Sequence, residues 1–372
     1  MKYELEAASG AARAGRVELP RGAFETPAFM PVGTQASVKA LSPDEIKETG
    51  AKVILSNAYH LYLRPGHETV EALGGLHKFM AWDRLILTDS GGYQIFSLKG
   101  LTKLTDEGAR FRSHLDGSEH FIRPEDSMAI QRAIGADMVM AFDECAPGDA
   151  PREAVEAAAA RTTAWAKRCR SVSLKEHQTL IPIVQGGVFP ELRRRSAEEI
   201  TALGCDATAI GGLSVGEERN AMLDTVEFTA PLLPADKPRY LMGVGMPMDI
   251  LDAIERGVDM FDCVLPTRMA RNGAAFTSTG RLNMRNAKHA RDESPLDPDC
   301  ECRVCRSFSR AYIRHLFVCG EIMAARLTSF HNLFFYAKMM QLARRAILED
   351  RFKAFKFEFD SRQRSEEENG YS

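Results

Sequence analysis

The feature that most restricts the fold of this chain is a short apolar run that recurs eight times and stops each time at a polar residue or a glycine. The runs are Pro27–Val32, Val53–Asn57, Leu85–Thr88, Met138–Phe142, Leu180–Gln185, Ala207–Gly212, Tyr240–Val244 and Val258–Val264. Helical stretches separate them. Ser42-Pro43-Asp44-Glu45 opens one such stretch, with Ser42 as cap, Pro43 at the first helical position and Glu45 completing a capping box. Gly50 offers its stop, and the same order returns with Pro124-Glu125-Asp126, Gly135 and Met138. Runs that are apolar nearly throughout predict strands buried on both faces, hence a parallel sheet covered by helices. Eight of them over roughly 250 residues suit an α/β fold of the (β/α)8 TIM-barrel type better than an open doubly wound sheet. No G-x-G-x-x-G follows an early strand, as a dinucleotide-binding sheet would require.

The residues that end these runs are Asn57, Asp89, Asp143, Gln185, Gly212, Gly243 and Asp262. In a barrel, strand C-termini converge on one mouth. Three carboxylates, two amides and two bare backbones there suit a planar, hydrogen-bonding ligand such as a purine, with acid/base or nucleophilic chemistry beside it. After Asp89, Gly91 and Gly92 let backbone approach a ligand, and Tyr93 offers a face for a stacked base. The same segment also reads as a tight turn with a capping Asp. Asp262 interrupts an apolar strand, where an unpaired carboxylate is costly unless it is used. Arg268 and Arg271 follow closely, either to keep Asp262 ionised, to grip phosphates, or as partners in a structural ion pair.

Three of the eight cysteines form a C-x-C-x-x-C array, Cys300, Cys302 and Cys305. With one histidine they would make a closed Cys3His zinc site that staples a subdomain and leaves no position for substrate. His331 and His315 both compete for the fourth place, and a redox cluster is the other reading. The remaining cysteines are scattered singly, as free thiols in a reducing compartment would be. The opening residues lack the basic flank and apolar run of a secretory signal, and no apolar stretch approaches the roughly 18 residues of a membrane span. A cytoplasmic protein is expected.

The net charge of −3 conceals a polarity. Residues 1–262 hold 29 Lys and Arg against 38 Asp and Glu, whereas residues 263–356 hold 17 against 8. A basic third on an acidic body suggests one face for a polyanion, although a solvated surface would look the same. Within it Arg306, Arg310 and Arg314 fall at i, i+4 and i+8, a stripe on one expected helix. Residues 280–305 read as loop, and residues from 306 to about 351 as helices broken near Gly320 and Ser329. The expected domains are a catalytic barrel with an N-terminal extension over 1–279, a zinc-binding, polyanion-contacting helical subdomain over 280–360, and a frayed acidic tail over 361–372.

From about Phe24 to Ala354 the chain resembles the bacterial tRNA-guanine transglycosylase (queuine tRNA-ribosyltransferase) family. The likeness lies in Asp89-Ser90-Gly91-Gly92-Tyr93-Gln94, Phe142-Asp143-Glu144-Cys145, Val184-Gln185-Gly186-Gly187, Ile210-Gly211-Gly212-Leu213, Leu241-Met242-Gly243-Val244-Gly245, Asp262-Cys263-Val264-Leu265-Pro266-Thr267-Arg268 and the cysteine array with His331. The resemblance implies a homodimeric barrel enzyme with one structural zinc per subunit, held by Cys300, Cys302, Cys305 and His331. It implies exchange of the wobble guanine of certain tRNAs for 7-aminomethyl-7-deazaguanine, the queuosine precursor, with guanine as the alternative free base. Asp262 would be the nucleophile on ribose C1′ and Asp89 the proton acceptor. Asp143, Gln185 and the Gly212 backbone would read the base edge, and the Leu213 carbonyl would take the aminomethyl group. Tyr93 and Met242 would sandwich the ring, with Cys145 beside it. Arg268, Arg271, Arg306, Arg310 and Arg314 are expected to contact RNA. A barrel hydrolase that releases a base to water and a non-catalytic tRNA-binding subunit are the other classes the residues allow.

Overall fold

All eight apolar runs form strands: Ala28–Pro31, Val53–Asn57, Leu85–Asp89, Met138–Met140, Thr179–Ile181 with Ile183–Val184, Thr208–Ile210, Arg239–Leu241 and Met260–Cys263. The structure is a computed structural model and describes residues 1–97 and 102–369. The strands lie in two sheets whose pairings are parallel throughout. One sheet runs in the order Thr179–Ile181, Met138–Met140, Leu85–Asp89, Val53–Asn57; the other runs Ile183–Val184, Thr208–Ile210, Arg239–Leu241, Met260–Cys263, Ala28–Pro31. The sheets meet at both ends. At one, only Pro182 separates the two edge strands, and its missing N–H breaks the ladder. At the other, Val32 bridges Leu55 and the Gly33 N–H donates to the Leu55 carbonyl at 2.6 Å.

Side chains alternate along a strand, so each run supplies two faces. Met30, Val53, Leu55, Leu85, Leu87, Met138, Met140, Ile181, Ile183, Ala207, Ala209, Tyr240 and Met260 form one buried cluster. Val17, Leu19 and Phe24 pack onto it from the N-terminal antiparallel sheet of Lys2–Ser9, Ala12–Leu19 and Gly22–Thr26. The intervening residues Ile54, Ile86, Val139, Val184, Ile210, Leu241 and Phe261 enter a second core shared with the helices. The expected capping box at Ser42 and Glu45 is present, and Gly135 ends its helix in the left-handed region at φ 79°.

Several expectations after the strands are corrected. Residues 280–305 are not all loop: Gly280–Asn283 pairs with Ala274–Thr277, so the boundary expected at 279/280 lies in the turn of a hairpin. Arg306 and Arg310 do not share a helix. Arg303–Ser307 ends at Phe308, and the Ser309 side chain caps a new helix, Arg310–Cys319, by accepting from the Tyr312 N–H. The break at Gly320 is present, but none occurs at Ser329, which is buried within the long helix Ile322–Leu348. The segment expected to fray from Ser361 belongs to a helix, Phe352–Asn369, anchored by buried Phe352 and Phe355 and by Lys356, which pairs with Asp252 at 2.8 Å. Residues 370–372 of that tail lie outside the described residues. No helix among the described residues is long and apolar enough to cross a membrane.

Candidate active site and metal centre

Asp89 is the last residue of its strand and is 9% exposed. Its register partner Asn57 ends the neighbouring strand and donates from Nδ2 to Asp89 Oδ2 at 2.9 Å. Asn57 also caps the following helix by accepting from the His60 N–H at 3.2 Å, so one amide both starts a helix and orients the acid. The Gln94 side chain and the Ser90 and Gly91 N–H groups complete the donors to Asp89. Gly91 is required twice over: φ is +88°, and a Cβ would lie 2.6 Å from that of Tyr59. Burial, and then the charge of Asp262, push the Asp89 carboxyl up to about 6. That value suits a group that must both give and take a proton near neutrality.

Asp262 interrupts the strand Met260–Cys263 and stays partly open. The Tyr240 phenol donates to its Oδ1 at 2.6 Å, and the Gly243 N–H donates to the same oxygen at 2.9 Å. Burial raises its pKa, and these two donors oppose the rise. Neither Arg268 nor Arg271 pairs with it. Arg268 is exposed on the helix Leu265–Arg271, and Arg271 keeps Nη1 buried without a hydrogen-bond partner among the described residues. The structural Asp–Arg pair is thus absent.

Asp143 follows the strand Met138–Met140, with Gln185 Nε2 donating to its Oδ2 at 2.8 Å. Burial first, and the charge of Asp89 second, push it up to about 7. The Gln185 amide lies against the Gly211-Gly212 backbone, where a Cβ on Gly212 would sit 2.1 Å from Gln185 Oε1. Leu213 is buried, Met242 half-buried, and Tyr93 is 52% exposed on the helix Gly92–Ser97. The Cys145 thiol is pushed up to about 12, by burial and then by Asp143, so it is a neutral wall rather than a nucleophile.

Three residues here escaped the sequence reading. Gln94 and Tyr240 hold the two aspartates, and Arg193 shapes the loops that follow Val184 and Ile210. Its fully buried guanidinium donates to the carbonyls of Gly187 at 2.7 Å, Val184 at 3.0 Å, Gly211 at 2.8 Å and Gly212 at 3.3 Å. Burial brings it down to about 10. Beside it, Ser196 Oγ accepts from the Gln185 N–H at 3.0 Å. The available signal was Arg193 on the apolar face of a helix with Leu192, Ala197 and Ile200.

The ligand atoms of Cys300, Cys302, Cys305 and His331 all lie within 4.8 Å of one another. His331 Nδ1 is 3.7, 3.6 and 3.3 Å from the three sulfurs. Tetrahedral bonds of about 2.0–2.3 Å place such atoms about 3.5 Å apart, so the set fits one metal ion. His331 Nε2 lies 2.7 Å from the Phe276 carbonyl, which fixes the ring and turns Nδ1 toward the sulfurs. His315 instead contacts Cys319, 3.6 Å away. Between the ligands, Arg303 stacks over Phe330 at 4.3 Å and pairs with Glu48 at 3.0 Å and with Glu45, which Arg326 also holds at 2.8 Å.

Of the remaining expected RNA contacts, Arg306 is exposed. Arg310 is tied to Asp292 at 3.2 Å and to the Leu296 carbonyl at 3.0 Å, and Arg314 Nε donates to the Asn286 carbonyl at 2.9 Å.

Comparison with known proteins shows the family of the chain. The family model described as Queuine tRNA-ribosyltransferase matches residues 8–365. Proteins named Queuine tRNA-ribosyltransferase from Desulforamulus reducens and Pelotomaculum thermopropionicum are 55% identical over 359 residues and 56% identical over 351. The first match covers 96% of this chain and 97% of the relative; the second covers 94% and 95%. One from Geobacillus kaustophilus is 56% identical over 349 residues, 94% of this chain and 92% of its own. A chain matched over almost its whole length at this identity belongs to the queuine tRNA-ribosyltransferase family.

Proposed function

We propose that this protein is a tRNA-guanine transglycosylase acting in queuosine biosynthesis. It would replace the wobble guanine of its tRNAs with 7-aminomethyl-7-deazaguanine, retaining configuration through a covalent Asp262–ribosyl intermediate. The observation that carries the reading is the pair Asp89 and Asp262. They are a buried and a half-buried carboxylate at the ends of different strands, close enough for the charge of Asp262 to raise the pKa of Asp89. A carboxylate that attacks an anomeric carbon, beside a second acid that serves the leaving group, is the retaining solution to glycosidic cleavage. Asp89 serves both bases in turn. Asp143, Gln185 and the Gly212 backbone read the base edge, the Leu213 carbonyl takes the aminomethyl group, and Tyr93 and Met242 cover the ring, with Cys145 beside it.

The strand ends belong to one mouth if the two sheets are a single closed (β/α)8 barrel; their meeting edges and shared inner core support that closure. The metal is zinc in this reading, since three thiolates and an imidazole suit it, and four protein ligands leave it a structural role. The enzyme works as a cytoplasmic homodimer, with Arg268, Arg271 and Arg306 better disposed toward RNA than the tethered Arg310 and Arg314. The test is incorporation of labelled guanine into tRNA, followed by a denaturing gel with a base analogue that stalls the second displacement. Wild type should yield a covalent adduct, Asp262→Asn should bind tRNA without one, and Asp89→Asn should lose nearly all exchange. An adduct that survives in Asp262→Asn would reject the assignment.

A further inference from the structure

Both donors to the Asp262 carboxylate converge on one oxygen. Tyr240 Oη lies 2.6 Å and the Gly243 N–H 2.9 Å from Oδ1, and no donor among the described residues reaches Oδ2. The arrangement is rigid on the tyrosine side. Tyr240 is 0% exposed in the inner core, paired laterally with Ala209 and Met260, so its phenol cannot swing to the other oxygen without disturbing that packing. We propose that Tyr240 is a positioning residue that selects Oδ2 as the attacking atom and sets how readily Asp262 is later expelled. This rests on the double-displacement reading above and goes beyond it.

The chemistry follows from where electrons reside at each stage. In the first displacement an Oδ2 lone pair forms the bond to C1′. The C1′–N9 pair leaves with guanine, which takes a proton from Asp89. Oδ1 is then the carbonyl oxygen of a neutral ester and keeps both donors. In the second displacement the incoming base gives its proton to Asp89 and its N9 pair to C1′, while the Oδ2–C1′ pair returns to the carboxylate. The restored negative charge is shared onto Oδ1, where hydrogen bonds to a charged acceptor are about twice as strong as to a neutral one. The two donors therefore favour collapse of the intermediate over its persistence. They also favour the ionised carboxylate in the free enzyme, against the burial that opposes it.

Tyr240→Phe should accordingly slow resolution of the adduct by roughly 10- to 100-fold, the loss expected for one hydrogen bond to a charged group. The steady-state adduct should increase on a denaturing gel, and the acid limb of kcat/KM should move up by roughly one pH unit. A purely structural role would change neither the partition between adduct formation and resolution nor that limb. Replacing Tyr240 with 3-fluorotyrosine keeps the ring and the donor but acidifies the phenol. It should move the acid limb down and hasten resolution, which keeps the test sound if the Phe variant folds poorly. If wild type forms no adduct dependent on Asp262, the functional reading fails and this inference with it. If wild type forms the adduct but both Tyr240 variants resolve it at the wild-type rate with an unmoved acid limb, the inference alone is overturned.

Discussion

Asp89 and Asp143 stand at the ends of neighbouring strands and Asp262 near the end of a strand in the other sheet, and no Lys or Arg forms an ion pair with any of them among the described residues. Such acids hold protons more tightly folded than unfolded, so they oppose folding once ionised. For Asp143, whose pKa rises to about 7 from an unfolded value of about 4, stability falls as pH rises across that window and is lowest above it. Asp143→Asn should therefore melt higher than wild type at pH 8, with the gap closing toward pH 5, by scanning calorimetry. It should also weaken use of the free base far more than tRNA binding. Guanine donates from its ring N–H and amine, and the wild-type KM for guanine should rise as pH drops through 7 while the variant stays flat. A stabilised variant that reads guanine normally would place recognition elsewhere. The three acids were legible because a carboxylate closing an apolar run is conspicuous. Tyr240 was not, since a tyrosine inside such a run reads as core and its phenol finds a partner only in three dimensions. Arg193 was hidden for the converse reason, a long polar side chain on a helix reading as solvated.

Among the elements, the hairpin Ala274–Asn283 and the helix Ile322–Leu348 are joined by more than packing. His331 bonds the Phe276 carbonyl, and Asn332 accepts from the Phe276 N–H at 2.9 Å while donating to the Pro266 carbonyl at 2.9 Å. Cys300, Cys302 and Cys305 gather against His331 of the same helix turn, where a bound metal would fasten them. Cys302→Ala should abolish the roughly one metal per chain expected from elemental analysis and lower Tm by roughly 10 °C, because metal binding and folding are coupled. Full metal content in that variant would remove Cys302 from the ligand set. Elements buried on both faces were legible, since only tertiary burial selects a run without polar alternation. The antiparallel strands Thr102–Thr105, Gly108–Arg112 and Glu119–Ile122 were not. They are short and partly exposed, and their alternation is too brief to outweigh their charged residues. The split between Arg306 and Arg310 also went unseen, because Ser309 can cap a helix or sit within one and only the Tyr312 N–H settles which.

At the scale of the whole molecule, the basic third meets the acidic body at the helix Pro43–Glu48. Arg303 and Arg326 are engaged by Glu45, whereas Arg268 and Arg306 remain exposed. Replacing both exposed arginines with Gln should weaken tRNA binding and reduce the slope of log K against log salt by roughly 1.5, since each phosphate contact contributes about 0.7–0.9. An unchanged slope across a salt titration would mean that neither touches the RNA backbone. The connections just described also impose an order of completion. The strand Ala28–Pro31 has one neighbour soon after it, Val53–Asn57, but gains the other only when Met260–Cys263 exists. Glu45 waits for Arg303 and Arg326, and the Gly15 and Thr26 carbonyls wait for Arg344. On a ribosome adding about 5–20 residues per second, the first segments stay unfinished for roughly 15–60 s. During that interval the nascent chain exposes apolar edges that only its own C-terminal third can cover, so translation speed and chaperone supply become determinants of how much working enzyme a cell obtains.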